Sequence, residues 1–231
     1  KNAYHITQPI ITKTDKEDYK TVFSDSIMLN VSRGCTRGCR FCMSSYLYRP
    51  LRETTIKELV DIALKTRENT NLNKITLIGA AVGDYYDLEG LTTALESEGF
   101  QIATPSLRID SLSRETLETL KKSGLKSITI APESISTLRE RINKSISDEK
   151  IFSIIKNAVD LDFNIKLYFL IGIPYESKED IEELANYIEK IANMHKNRKY
   201  IKFSINPVIP KPQTPLQWEV YNFKEIKSKT R

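Results

Sequence analysis

Short runs rich in Ile, Val and Leu alternate along this chain with longer segments in which apolar residues recur every three or four positions. The short runs are SIMLNV (26–31), KITLIGA (74–80), QIATPSLRI (101–109), KSITIAP (126–132), IKLYFLIG (165–172) and YIKFSINPV (200–208), and each reads as a strand. Helical periods fall near 55–68, 88–99, 113–123, 148–162 and 177–194. Their starts are marked locally. Thr55 with Glu58 makes a capping box ahead of the stripe Leu59, Val60, Ala63, Leu64, and Ser177 with Asp180 repeats the device. Strand, loop and helix in regular succession predict βα units with right-handed crossovers around a parallel sheet. A complete eight-unit barrel takes about 250 residues. Six units in 231 residues therefore predict an α/β fold, a partial (β/α)6 TIM-type barrel open along one side, with any site at the C-terminal ends of its strands.

The ends read differently. Residues 1–25 are polar, carry Pro9 and show no period, which predicts an extended N-terminal arm or linker; the barrel takes 26–218, and 219–231, with its KEIKSKTR run, reads as a basic, solvated C-terminal tail. The segment PVIPKPQTPLQW (207–218) can be neither helix nor inner strand. It reads as a stiff exit or as a wall of the substrate opening, with Trp218 as a stacking surface.

Composition narrows this picture only slightly. An apolar content of 40% supports one core and one domain. Lys and Arg number 35 against 30 Asp and Glu, spread along the chain, so the charge names no anionic partner and no gathered basic face supports nucleic-acid binding. No apolar run reaches the length of a membrane span and no signal peptide opens the chain, so a cytoplasmic, reducing setting is expected. The abundance of Lys, Glu and Ile suits a thermophile, as it would a biased base composition.

All three cysteines fall within SRGCTRGCRFCMSSYLYRP (32–50), as Cys35-x3-Cys39-x2-Cys42, in the loop after the first strand. Gly34 and Gly38 give that loop a permissive backbone. An odd, clustered set cannot close a disulfide framework. A structural zinc site wants a fourth Cys or His, and His5 and His195 lie far off in sequence. Three thiolates on an iron–sulfur cluster leave one iron without a protein ligand, which suits chemistry. Three thiols with no ligand remain the plain alternative. Tyr46, Tyr48, Arg49 and Arg52 follow closely, either to shield the loop or anchor an anion, or as ordinary packing.

With the aromatic Phe41 before the last cysteine, this stretch resembles the signature of the radical S-adenosylmethionine (radical SAM) enzymes, and the resemblance runs from Ser26 to Trp218. It implies a 4Fe-4S cluster on Cys35, Cys39 and Cys42, S-adenosylmethionine chelated to the open iron, and reductive cleavage to methionine and a 5′-deoxyadenosyl radical that abstracts hydrogen from a substrate. Further cofactor contacts are implied by position. Gly79-Ala80-Ala81 stands where the family carries GGE, whose backbone holds the amino group. Glu133 and Ser134 in IAPES resemble the segment near ribose and amino group, Arg141 a base for the carboxylate, and Gly172 to Glu176 in LIGIPYE the adenine-contacting motif. Each also has an ordinary reading: glycines that end strands, a carboxylate at a helix start, a solvated helix charge.

The combination with YRPLRE, PSLRIDS and PKPQTPLQW most resembles the cobalamin-associated subgroup. Nothing in the chain resembles a DxHxxG motif, so cobalamin is expected only through a domain absent from this chain. A ferredoxin or flavodoxin is the implied reductant. Methyl transfer, ring formation or carbon–carbon coupling are the outcomes this resemblance allows, on a small or macromolecular substrate. The contrasting expectation is a non-catalytic iron–sulfur module that carries electrons or senses redox state and needs no cofactor pocket.

Overall fold

The structure is a computed structural model that describes residues 25–229; the expected N-terminal arm lies outside the described residues but for Asp25. Strand β1 (Ile27–Asn30) pairs in parallel with β4 (Lys74–Ile78), and β4 with β5 (Gln101–Ala103). A second parallel set runs β6 (Ser127–Glu133), β7 (Asn164–Ile171), β8 (Ile201–Pro207). One parallel bridge, Leu107 to Ile130, with Leu107 N–H donating to Thr129 O at 2.8 Å, joins the two sets into a six-stranded arc. Among the described residues β1 and β8 do not pair, so the barrel is open, as expected.

The third strand is shorter than the sequence predicts. Pro105 has no N–H for the ladder, so pairing stops at Ala103 and resumes only at Leu107. Helices α2 (Ile56–Thr70), α3 (Leu88–Ser97), α4 (Arg114–Lys122), α6 (Asp148–Asp160) and α7 (Lys178–Ala192) fall where the periodicity puts them, and both expected capping boxes are present. They bury one face of the sheet: Leu29, Leu77, Ile130, Leu167 and Phe169 are fully buried. The other face stays partly open at Met28, Thr76, Ala103 and Tyr168. There a hollow of about 510 Å³ lies against β1, β4 and β5.

Among the elements that escape the periodic reading are a two-residue antiparallel ribbon, β2 (Ser32–Arg33) with β3 (Arg52–Glu53), and the short helices α1 (Ser44–Leu47) and α5 (Ser136–Arg141). None is long enough to show a period. The tail also differs from expectation. Residues Phe223–Lys229 form helix α8, with Asn222 Oδ1 accepting from Glu225 N–H at 3.2 Å as its cap. Its single aliphatic residue, Ile226, is buried against Gly172 and the Lys229 side chain is 9% exposed, while Phe223, Lys224, Glu225, Lys227 and Ser228 face solvent.

Candidate active site

The cysteine loop sits between β2 and α1 and is tied down from several sides. Asn143 Nδ2 and Tyr46 Oη donate to Gly38 O at 2.9 and 2.8 Å, Arg49 donates to Thr36 O at 3.1 Å, and Arg40 donates to Arg141 O at 2.9 Å. Tyr46 and Arg49 thus brace the loop, and Arg52 reaches Tyr48 O at 3.4 Å, while the Tyr48 ring itself is exposed. Gly34 is required where it stands. It has φ of 94°, and a Cβ there would overlap Tyr48 O and lie 2.7 Å from Pro50 O, both backbone atoms. Gly34→Ala is expected to cost about 3 kcal/mol through backbone strain and overpacking, read as a lower denaturant midpoint with unchanged slope.

Cys35 and Cys39 are buried and Cys42 half-buried, all as free thiols. Ser45 Oγ donates toward Cys35 Sγ at 3.7 Å, and Arg108 Nη1 toward Cys39 Sγ at 3.8 Å. Burial pushes the Cys39 thiol above its ordinary range, opposed by the charges of Lys144 and Arg108. Among the described residues no three His, Cys, Asp or Glu close on one point as a single metal ion requires. His195 lies beyond α7, its Nδ1 accepting from Asn197 N–H at 2.9 Å. A polynuclear cluster takes its thiolates on separate irons and asks for no such point.

Beside Cys39 lies a buried ion pair: Lys144 Nζ donates to Glu133 Oε1 at 2.7 Å, with both side chains under 10% exposed. Glu133 stands at a register shift in β6 with φ of 71°, which turns it out of the ladder. Ser134 Oγ next to it is buried without a partner. Lys144 was not visible in the sequence as a site residue, since it follows a six-residue helix and belongs to no period. Arg141, expected as the base, has its Nη1 donating to Tyr175 O at 2.6 Å and a side chain 42% exposed. The fully buried arginine is Arg139, bound to Ser134 O, Ile146 O and Asp148.

Gly79 closes β4 where a Cβ would meet Ser32 Oγ at 2.7 Å, and Ala80 and Ala81 lead into a 3₁₀ turn at Val82–Asp84. At the end of β7, Glu176 Oε1 accepts from Gly172 N–H at 2.8 Å and pairs with Lys229 of α8 at 3.1 Å, while its Oε2 is buried without a partner. Lys229→Met leaves that carboxylate without its cation and is expected to cost about 3 kcal/mol, a fall in Tm of about 6–12 °C for a domain of this size. The proline-rich segment returns to the loop through Leu216 N–H to Arg40 O at 3.4 Å, and Phe41 lines a hollow of about 240 Å³ with Leu170, Asn206 and Val208. Trp218 is 86% exposed. The structure thus gathers the cysteines, Phe41, Glu133 and Ser134 with Lys144 and Arg108, reaches Gly172 and Glu176 through Arg141, and sets Gly79 to Ala81 on the neighbouring strand end.

The Radical SAM superfamily model matches residues 29–188. The chain belongs to the radical SAM superfamily. An uncharacterized protein of Methanocaldococcus jannaschii is 37% identical over 95% of this chain and 48% of its own length. The cytidylyl-2-hydroxyethylphosphonate methyltransferase of Streptomyces wedmorensis is 28% identical over 74% of this chain and 34% of its own. The radical SAM chain thus spans about half the length of the first of these relatives and a third of the second. Among solved structures, the radical S-adenosylmethionine methyltransferase TsrM of Kitasatospora setae, with cobalamin and a [4Fe-4S] cluster bound, superposes with a TM-score of 0.68 at 12% identity, over 84% of this chain and 39% of that one. That likeness is one of fold. No helix among the described residues is long and apolar enough to cross a membrane.

Proposed function

We propose that this radical SAM chain holds one 4Fe-4S cluster on Cys35, Cys39 and Cys42 and S-adenosylmethionine across the ends of β4, β6 and β7. When bound, that pair would supply a 5′-deoxyadenosyl radical for hydrogen abstraction from a substrate. The observation that carries the reading is the placement of three free thiols, two with donors aimed at sulfur, beside the buried Glu133–Lys144 pair. A zwitterionic ligand wants an acid for its ammonium and a base for its carboxylate. Glu133 and Lys144 are that acid and base, already desolvated and touching, so the ligand's two charges would exchange for each other's partner. Ser134 offers a buried hydroxyl free to bond, and the backbone from Gly79 to Ala81 and from Gly172 to Glu176 frames the ends. Arg141 steadies the Tyr175 carbonyl of that second loop from the rim. Phe41 packs the cluster loop against the end of β7.

The barrel unit is taken as 26–218, with α8 of the tail docked on it. Methyl transfer is the outcome the methyltransferase relative favours. Cobalamin, bound in the Kitasatospora enzyme, would reach this barrel from residues outside these 231. A ferredoxin or flavodoxin would supply the electron. An electron carrier needs neither the Glu133–Lys144 pair nor the orphaned Ser134 hydroxyl, which favours the enzyme. The test is anaerobic reconstitution with iron and sulfide, then reduction with S-adenosylmethionine. About four irons per chain and release of 5′-deoxyadenosine are expected; a cluster with no cleavage would sink the enzyme reading, and no cluster would sink both.

A further inference from the structure

We propose that Arg108 is a positioning residue that sets the reduction potential of the cluster through the N–H it aims at Cys39. The inference rests on the cluster reading above. Arg108 follows β5, and its side chain is only 15% exposed. Its Nε and Nη2 grip both oxygens of Asp110 at 2.9 and 3.0 Å, which leaves Nη1 directed at Cys39 Sγ at 3.8 Å. Asp110 in turn meets Arg37 Nη1 at 3.0 Å, and Arg37 donates to Asp84 at 2.9 and 2.6 Å. Ser111 Oγ donates to Asp84 at 2.6 Å, and the Gly83 backbone presses so close to Arg108 that a Cβ would lie 2.9 Å from Arg108 N. Arg37 lies between Cys35 and Cys39, so two arginines and two aspartates clamp the loop while one N–H is kept for sulfur.

The three thiols are not treated alike. Cys35 has a neutral donor in Ser45, Cys39 has a cation fixed by a bidentate carboxylate, and Cys42 has no donor within bonding distance among the described residues. Lys144 also faces Cys39, and its charge acts on that thiol more strongly than that of Arg108, but its Nζ bonds Glu133 Oε1 and not the sulfur. Reduction adds negative charge to a cluster. An N–H bonded to its thiolate and a nearby cation stabilise the reduced form and raise the potential, while a carboxylate beside that cation tempers the effect. Arg108 and Asp110 therefore act with opposite sign, which a purely structural clamp would not do.

The measurement is an EPR-monitored redox titration of the anaerobically reconstituted protein, with iron and sulfide assayed in each sample. In Arg108→Met the equilibrium constant for one-electron reduction is expected to fall about tenfold, a midpoint about 59 mV more negative. Arg108→Lys, which keeps the charge without the fork, falls between, and Asp110→Asn moves the midpoint the other way. Equal midpoints in wild type and Arg108→Met at equal iron content would overturn the proposal, as would shifts of the same sign in Arg108→Met and Asp110→Asn. If Arg108→Met does not fold, Arg108→Lys and Asp110→Asn both matching wild type overturns it. A wild-type protein that takes up no iron overturns the cluster reading and this inference with it, and iron content tells that failure from the others.

Discussion

Alanine at Cys35, Cys39 or Cys42 is expected to remove 5′-deoxyadenosine formation in each case, by at least about a thousandfold, or about 4 kcal/mol of barrier. The chain holds no fourth cysteine to replace a missing thiolate. The fold is expected to survive. Cys42 is half-buried, and trimming the buried Cys35 or Cys39 to alanine removes one sulfur each, at a cost of about 1 kcal/mol in the metal-free protein. Iron content and urea unfolding of the same samples separate the two effects. A variant that keeps four irons and full product would remove that cysteine from the site. A variant that loses iron only because it unfolds would show a large drop in its denaturant midpoint.

The strands, the five long helices and the position of the cysteine loop were legible because each rests on a pattern many residues long. Leu59, Ala63 and Thr66 on α2, or Ile165, Leu167 and Phe169 on β7, announce their burial by repetition. The partners of the thiols do not repeat. Lys144 meets Glu133 eleven residues away only because β6 breaks register and α5 turns the chain back, and no periodicity records a six-residue helix. Arg141 ends α5 and turns to Tyr175 O, whereas Lys144, three positions on, turns to Glu133. Arg108 and Asp110 lie two apart just past the Leu107 bridge, where the chain bends, and pair locally; what the sequence could not say is that Cys39 lies beside them. The contact of the tail with Glu176 was hidden for the opposite reason. Its lysines outnumber its one buried isoleucine, and the carboxylate that makes Lys229 a buried partner is 53 residues away.

The Glu133–Lys144 pair allows a test that separates structure from ligand binding. A buried pair deprived of one partner leaves an uncompensated charge, so Lys144→Met alone is expected to cost about 3–5 kcal/mol of stability. Replacing both, in Glu133→Gln with Lys144→Met, removes the charges together and is expected to bring stability back to within about 1 kcal/mol of wild type. If the pair served only the fold, S-adenosylmethionine would bind this double variant as it binds the native protein. Each charged contact to the ligand contributes about 1.5–3 kcal/mol, so losing both ends of the zwitterion weakens binding by at least about a hundredfold. Equilibrium dialysis of the cluster-loaded double variant, beside its urea curve, reads both quantities on one sample. Native affinity at native stability would make the pair a core ion pair and return the carboxylate to Arg141; lost affinity at native stability would establish that this acid and base are held together in order to be parted by the ligand.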